Sequence, residues 1–171
     1  MTPRIQKAID ILLDAVNEGT LAKGNCAACA VGNLIAHGLG YSVLKSEFSS
    51  YWSDKATGKS EQTNWGDLFI TADDHQSRTD LSVYDKDYQE VLLREINATD
   101  FTIDELAQIE FAFETNTEIC HQDYDQHYSH DIRRDQIKGL EAVVKVMLQF
   151  DEQTDDVNEV FTSKANLIPI C

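Results

Sequence analysis

Two cysteines three residues apart, Cys26 and Cys29, stand in the small-residue run KGNCAACAVGNLIAHG, residues 23–38. Thiols at that spacing can grip a metal, cycle between dithiol and disulfide, or let neighbouring backbones approach closely. Metal chemistry needs further ligands, and the stretch CHQDYDQHYSHD supplies Cys120, His121, His127 and His130. Cys26, Cys29, His127 and His130 together would make the tetrahedral sulfur and nitrogen set that zinc takes. A redox pair of the thioredoxin kind would need a strand ahead of the motif, whereas a helical pattern and a glycine turn precede it. Packing needs only the surrounding Ala27, Ala28, Ala30, Gly32 and Ala36, among which a free cysteine acts as a small buried hydrophobe. The expectation is therefore that both thiols are buried in a close helix contact, with a zinc-stabilised domain as the alternative.

Carboxylates form the second constellation. Glu110, Glu114 and Glu118 recur at four-residue steps, and Asp123 and Asp125 follow. Side chains four apart share one face of a helix, so the spacing predicts a solvated acidic ladder that could meet a partner. Glu118 and His121 also make one Glu-x-x-His motif, but a di-iron bundle requires two such motifs and two further glutamates. Neither GxGxxG nor P-loop spacing nor a GxSxG elbow occurs, so no phosphate cradle or nucleophile is marked. A catalytic residue is not selected by any spacing in the chain.

The charge narrows the partners. Thirty acidic residues against fourteen basic ones give a formal charge of −16 over 171 residues. Direct nucleic-acid binding, which depends on Lys and Arg neutralising phosphates, is disfavoured. A protein with a basic surface is the complementary partner, because matched potentials speed encounter and select against wrong partners. The first residues, MTPRIQKAIDILLDAVNEG, read as an amphipathic helix interrupted by Asp10 and Asp14 and not as a signal segment. With no apolar run of membrane-spanning length, a cytoplasmic protein with reduced thiols is expected.

These residues must be positioned by a mostly helical, single-domain bundle of about five helices spanning 1–171. The first has Thr2 as N-cap, Pro3 at the first helical position, Ile5, Ala8, Ile9, Leu12 and Val16 on one face, and Gly19 as its end. A second, capped by Asn25, runs to about His37. Residues 41–80 form a long irregular segment with room for one short strand near 68–71. Trp52 and Trp65 are expected to pin that segment to the core, and it could serve as a lid for a nucleotide or other small molecule. A third helix over 85–97 turns Tyr88, Val91, Leu92 and Ile96 inward. A fourth starts at the capping box of Thr102 and Glu105 and buries Leu106, Ile109, Ala112 and Phe113. A fifth, capped by Ser129, presents Ile137, Leu140, Val143, Val144, Met147 and Leu148.

The segments LAKGNCAACAVGNLIA and ELAQIEFAFETNTEI, with DQIKGLEAVVKVM, resemble stretches of small uncharacterised proteins of phage and prophage type. That resemblance carries no catalytic signature and transfers no functional residue. It implies one function: such small acidic proteins include inhibitors of host defence proteins and nucleases, which present carboxylates where nucleic-acid phosphates would sit.

Overall fold

A computed structural model describes residues 1–44, 51–68, 81 and 84–165, with the side chains of all these except 67 and 152–165. Helix α1, Pro3–Glu18, buries Ile5, Ala8, Leu12, Ala15 and Val16 and closes at Gly19, whose left-handed φ of 69° lets its N–H turn back to the last carbonyls. Thr2 holds the N-cap position, but its side chain does not cap. Its hydroxyl and backbone N–H instead donate to Asp151 at 2.8 and 2.6 Å, tying the start of α1 to the middle of the long helix Ser129–Ala165.

Helix α2, Ala30–Leu39, begins four residues later than its sequence suggests, with its cap at Cys29 and not at Asn25. The Asn25 side chain accepts from the Ala27 N–H at 2.9 Å, and its carbonyl accepts from Ala28 and Cys29, so residues 25–29 close a separate turn. The cap is Cys29, whose sulfur accepts from the Gly32 N–H at 3.3 Å. Asn33, one turn into α2, donates back to the Ala28 and Cys29 carbonyls at 2.7 and 3.0 Å and fixes the turn against the helix.

Part of the expected irregular segment is a sheet. Strands β1 (Tyr41–Val43), β2 (Tyr51–Asp54) and β3 (Ser60–Gln62) form an antiparallel meander in chain order. Trp52 pairs with Val43 on one side and Glu61 on the other. The β2–β3 turn is organised by Asp54, which accepts from the Ala56 and Thr57 N–H groups at 2.9 and 2.7 Å, and by Gly58 at φ 69°. Leu68 ends a single 3₁₀ turn, Trp65–Leu68, and the rest of the strand expected near 68–71 lies outside the described residues.

Helix α3, Lys86–Asn97, is capped by Asp85, and α4, Ile103–Asn116, starts from the capping box that Thr102 and Glu105 predict. Helix α5 is Ser129–Ala165, so the acidic run after Phe150 continues the helix. Of its expected stripe, Leu140, Val143 and Met147 are buried, while Ile137 and Leu148 are exposed. Helix α2 sits in the middle, touching α1, α3, α4 and β1, and α5 runs along α4 and α1. The mostly helical architecture thus holds, with a small sheet added to it. Among the described residues no helix is long and apolar enough to cross a membrane.

Candidate functional site

The turn carrying Cys26 and Cys29 is the point on which the sheet, α2 and α4 converge. Trp52 Nε1 donates to the Ala27 carbonyl at 3.1 Å, and Trp65 Nε1 donates to the Cys26 carbonyl at 2.9 Å. Both tryptophans are buried, as expected of them, and both are spent on the backbone of this one turn. The neighbouring alanines leave room for the indoles. At Gly32 any Cβ would overlap the Cys26 and Ala27 backbone. Packing is therefore the structural role of the motif, with one correction: Cys29 is fully buried, but Cys26 is exposed because the turn presents it on its outer edge.

Lys23 and Gly24 join this turn to the end of α4. Lys23 Nζ donates to the Glu114 and Thr117 carbonyls at 2.7 and 2.5 Å, placing a cation on the negative end of that helix. Its own carbonyl accepts from the His121 N–H at 3.1 Å. Gly24, at φ 74°, donates its N–H to Glu114 at 3.0 Å, and a Cβ there would lie 2.6 Å from the Cys120 sulfur. Glycine is required at 24 on both counts.

This junction divides the acidic ladder. Glu110 faces inward toward the start of α2. The residue as a whole is half-buried, but its Oε2 is shut away from solvent and accepts no hydrogen bond. Burial first, and then the charge of Glu114, push the Glu110 carboxyl up to about 8, against the opposing pull of the Cys29 thiol and the Val31 N–H. Glu114 is also raised by burial, while the Gly24 N–H, Lys23 and His121 favour its charged form. Burial, followed by Glu110, holds the Cys29 thiol well above its ordinary range, so it is a poor nucleophile.

The remaining acids face water. Helix α4 ends at Asn116, so Glu118 stands beyond it and is not the third rung of a helical ladder. It is exposed and pairs with Lys138 at 2.6 Å. Asp123 and Asp125 are exposed on the 3₁₀ segment His121–Gln126. The backbone beneath them is pinned: Asp135 accepts from the Glu118 and Ile119 N–H groups at 3.0 and 2.9 Å, and Tyr124 reaches the Leu21 carbonyl at 3.4 Å. Tyr128 is 76% exposed and stacks on His130 with centroids 5.7 Å apart.

His127 and His130 are both exposed, His130 beside Asp131 at 3.5 Å. Among the described residues no three His, Cys, Asp or Glu side chains are arranged to hold a metal ion, so Cys26, Cys29, His127 and His130 are not gathered into the tetrahedral set. Cys29 serves as a helix cap and packing residue instead. Sequence reasoning missed the inward turn of Glu110 and Glu114. The available signal was their position one residue beyond the buried Ile109 and Phe113, at the edge of the apolar stripe and not opposite it. No protein-family model matches the chain, and no match is found among the curated proteins or the solved structures.

Proposed function

We propose that the protein works by binding a macromolecular partner with a basic surface, through the outward carboxylates Glu118, Asp123 and Asp125. The observation that carries this reading is that these three exposed acids stand on a short backbone segment anchored to Asp135, Lys23 and Leu21, in a chain of formal charge −16. Charges held on a fixed backbone lose little freedom when a partner arrives, so more of the electrostatic attraction appears as binding. The exposed Glu118–Lys138 pair contributes little to folding and can exchange its lysine for a partner's cation. Tyr128 offers an open ring face nearby in sequence, suited to an arginine. An inhibitor of a host defence nuclease fits this charge, its carboxylates standing where phosphates would bind.

The test begins with a pull-down against basic nucleases and host extract, followed by association kinetics with the captured partner at low and moderate salt. Replacing Glu118, Asp123 and Asp125 together by Gln, Asn and Asn should slow association and flatten its salt dependence. Equal rates and equal salt slopes for the two proteins would remove this surface from the interface.

A further inference from the structure

We propose that Cys26 and Cys29 form a reversible thiol–disulfide site, in which the exposed Cys26 exchanges with a low-molecular-weight disulfide and the buried Cys29 closes the bond. The inference is independent of the acidic outer surface and rests on how one short turn holds two thiols. The Ala28 and Cys29 N–H groups both donate to the Asn25 carbonyl, at 2.9 and 2.8 Å, which winds residues 25–29 into one helical turn. Cys29 continues that winding with φ at −69°. Three residues along such a turn separate Cα atoms by about 5 Å, inside the range that a disulfide spans.

The sulfur of Cys29 is aimed back along the turn. It accepts from the Gly32 N–H at 3.3 Å and directs its own S–H at the Cys26 carbonyl at 3.8 Å, so it lies over the residue that carries the second thiol. Trp52 and Trp65 hold the Ala27 and Cys26 carbonyls, and Asn33 holds those of Ala28 and Cys29, which presets the backbone spacing. Closing the bond takes side-chain rotation and a slight tightening of this turn, not its release.

Exposure sets the order of events. Cys26 stands on the outer edge with its sulfur beside Gly66, where any Cβ would come within 2.6 Å of it, whereas Cys29 is fully buried. The Cys26 thiolate attacks one sulfur of the reagent, and the other sulfur leaves as a thiolate with the electron pair of the broken bond. Cys29 then loses its proton and attacks the Cys26 sulfur, expelling the second reagent thiolate. The two thiolates take up the two protons that the cysteines lost, so one disulfide is reduced to two thiols while the Cys26–Cys29 pair is oxidised.

The test exposes the full chain to oxidised glutathione at about pH 8, where an ordinary thiol is partly ionised, and maps the products by mass spectrometry of intact protein and peptides. The expected product lacks two hydrogens, carries no glutathione, links Cys26 to Cys29 and returns to the dithiol when dithiothreitol is added. Cys29→Ser removes the closing thiol while its hydroxyl keeps the helix cap. In that variant glutathione should accumulate on Cys26 to about tenfold the level in the parent, since nothing expels it. Cys26→Ser should leave Cys29 unmodified over the same interval, because the reagent does not reach a buried thiol. Glutathione retained on Cys26 of the parent, a bond from Cys26 to Cys120 in place of Cys29, or modification of Cys29 in Cys26→Ser at the parent's rate overturns the proposal.

Discussion

Glu110 and Glu114 stand on α4 ahead of Glu118, Asp123 and Asp125 in the same acidic stretch of chain, yet the two groups live in different surroundings. The first pair is turned under the Lys23–Val31 segment, where burial holds both carboxyls above their ordinary range. At Glu118 the bond to Lys138 lowers the carboxyl instead. The same residue type at four-residue spacing therefore meets opposite surroundings: inside, burial disfavours the charged form of Glu110 and Glu114, and outside, Glu118 stays charged beside Lys138. Four-residue periodicity says which side chains share a face, but not whether that face meets water.

The largest break in this contrast should come from charge reversal. Glu110→Lys places an ammonium beside the α2 N-terminus and a buried thiol, and should cost about 3–5 kcal/mol in chemical denaturation. Glu118→Lys, which only breaks an exposed pair, should leave the denaturation midpoint where it is. A similar loss at both positions would erase the distinction. Next in size is Lys23→Met, which leaves the Glu114 and Thr117 carbonyls without their donor and should cost about 2 kcal/mol. Its effect should also appear as faster amide exchange at His121, whose N–H is bonded to the Lys23 carbonyl. The smallest effect on folding is expected from the triple outward variant of Glu118, Asp123 and Asp125. It should melt at the same temperature as the parent or slightly above, since crowded exposed charge repels. A marked drop would mean that these acids hold the fold together.

Much of the frame was legible because it obeys local rules. The Thr102 and Glu105 capping box, the buried set Leu106, Ile109, Ala112 and Phe113, and the Gly19 stop all follow from patterns within one or two turns. The sheet was not legible for the converse reason. Its strands are three or four residues long and the last, Ser60–Gln62, is wholly polar, so alternation has no room to show. Its position is set by the Trp52 indole reaching Ala27, 25 residues back along the chain. Asn25 misled because the same side chain that caps helices also closes turns, and the choice was made by Asn33 and the Cys29 sulfur. On α4 Phe111 is 48% exposed, while the Oε2 of Glu110 beside it is shut away from solvent. That inversion reflects backbone donors on α2 and at Gly24, which lie outside the helix and cannot be read from its own sequence.

The most direct test of the inward and outward division is stability as a function of pH. Glu110 in the folded chain sits at about 8, above its ordinary 4.5, so folding takes up a proton between those values. Its contribution is then fully present below about pH 4.5 and is lost as pH rises through about 8. Urea denaturation at intervals from about pH 5.5 to 9 should show the parent protein and Glu118→Gln losing stability in parallel as the solution becomes alkaline. Glu110→Gln should keep most of that stability and overtake both at the upper end. Three superimposable profiles would contradict the account and return Glu110 to the solvated face that its spacing suggests.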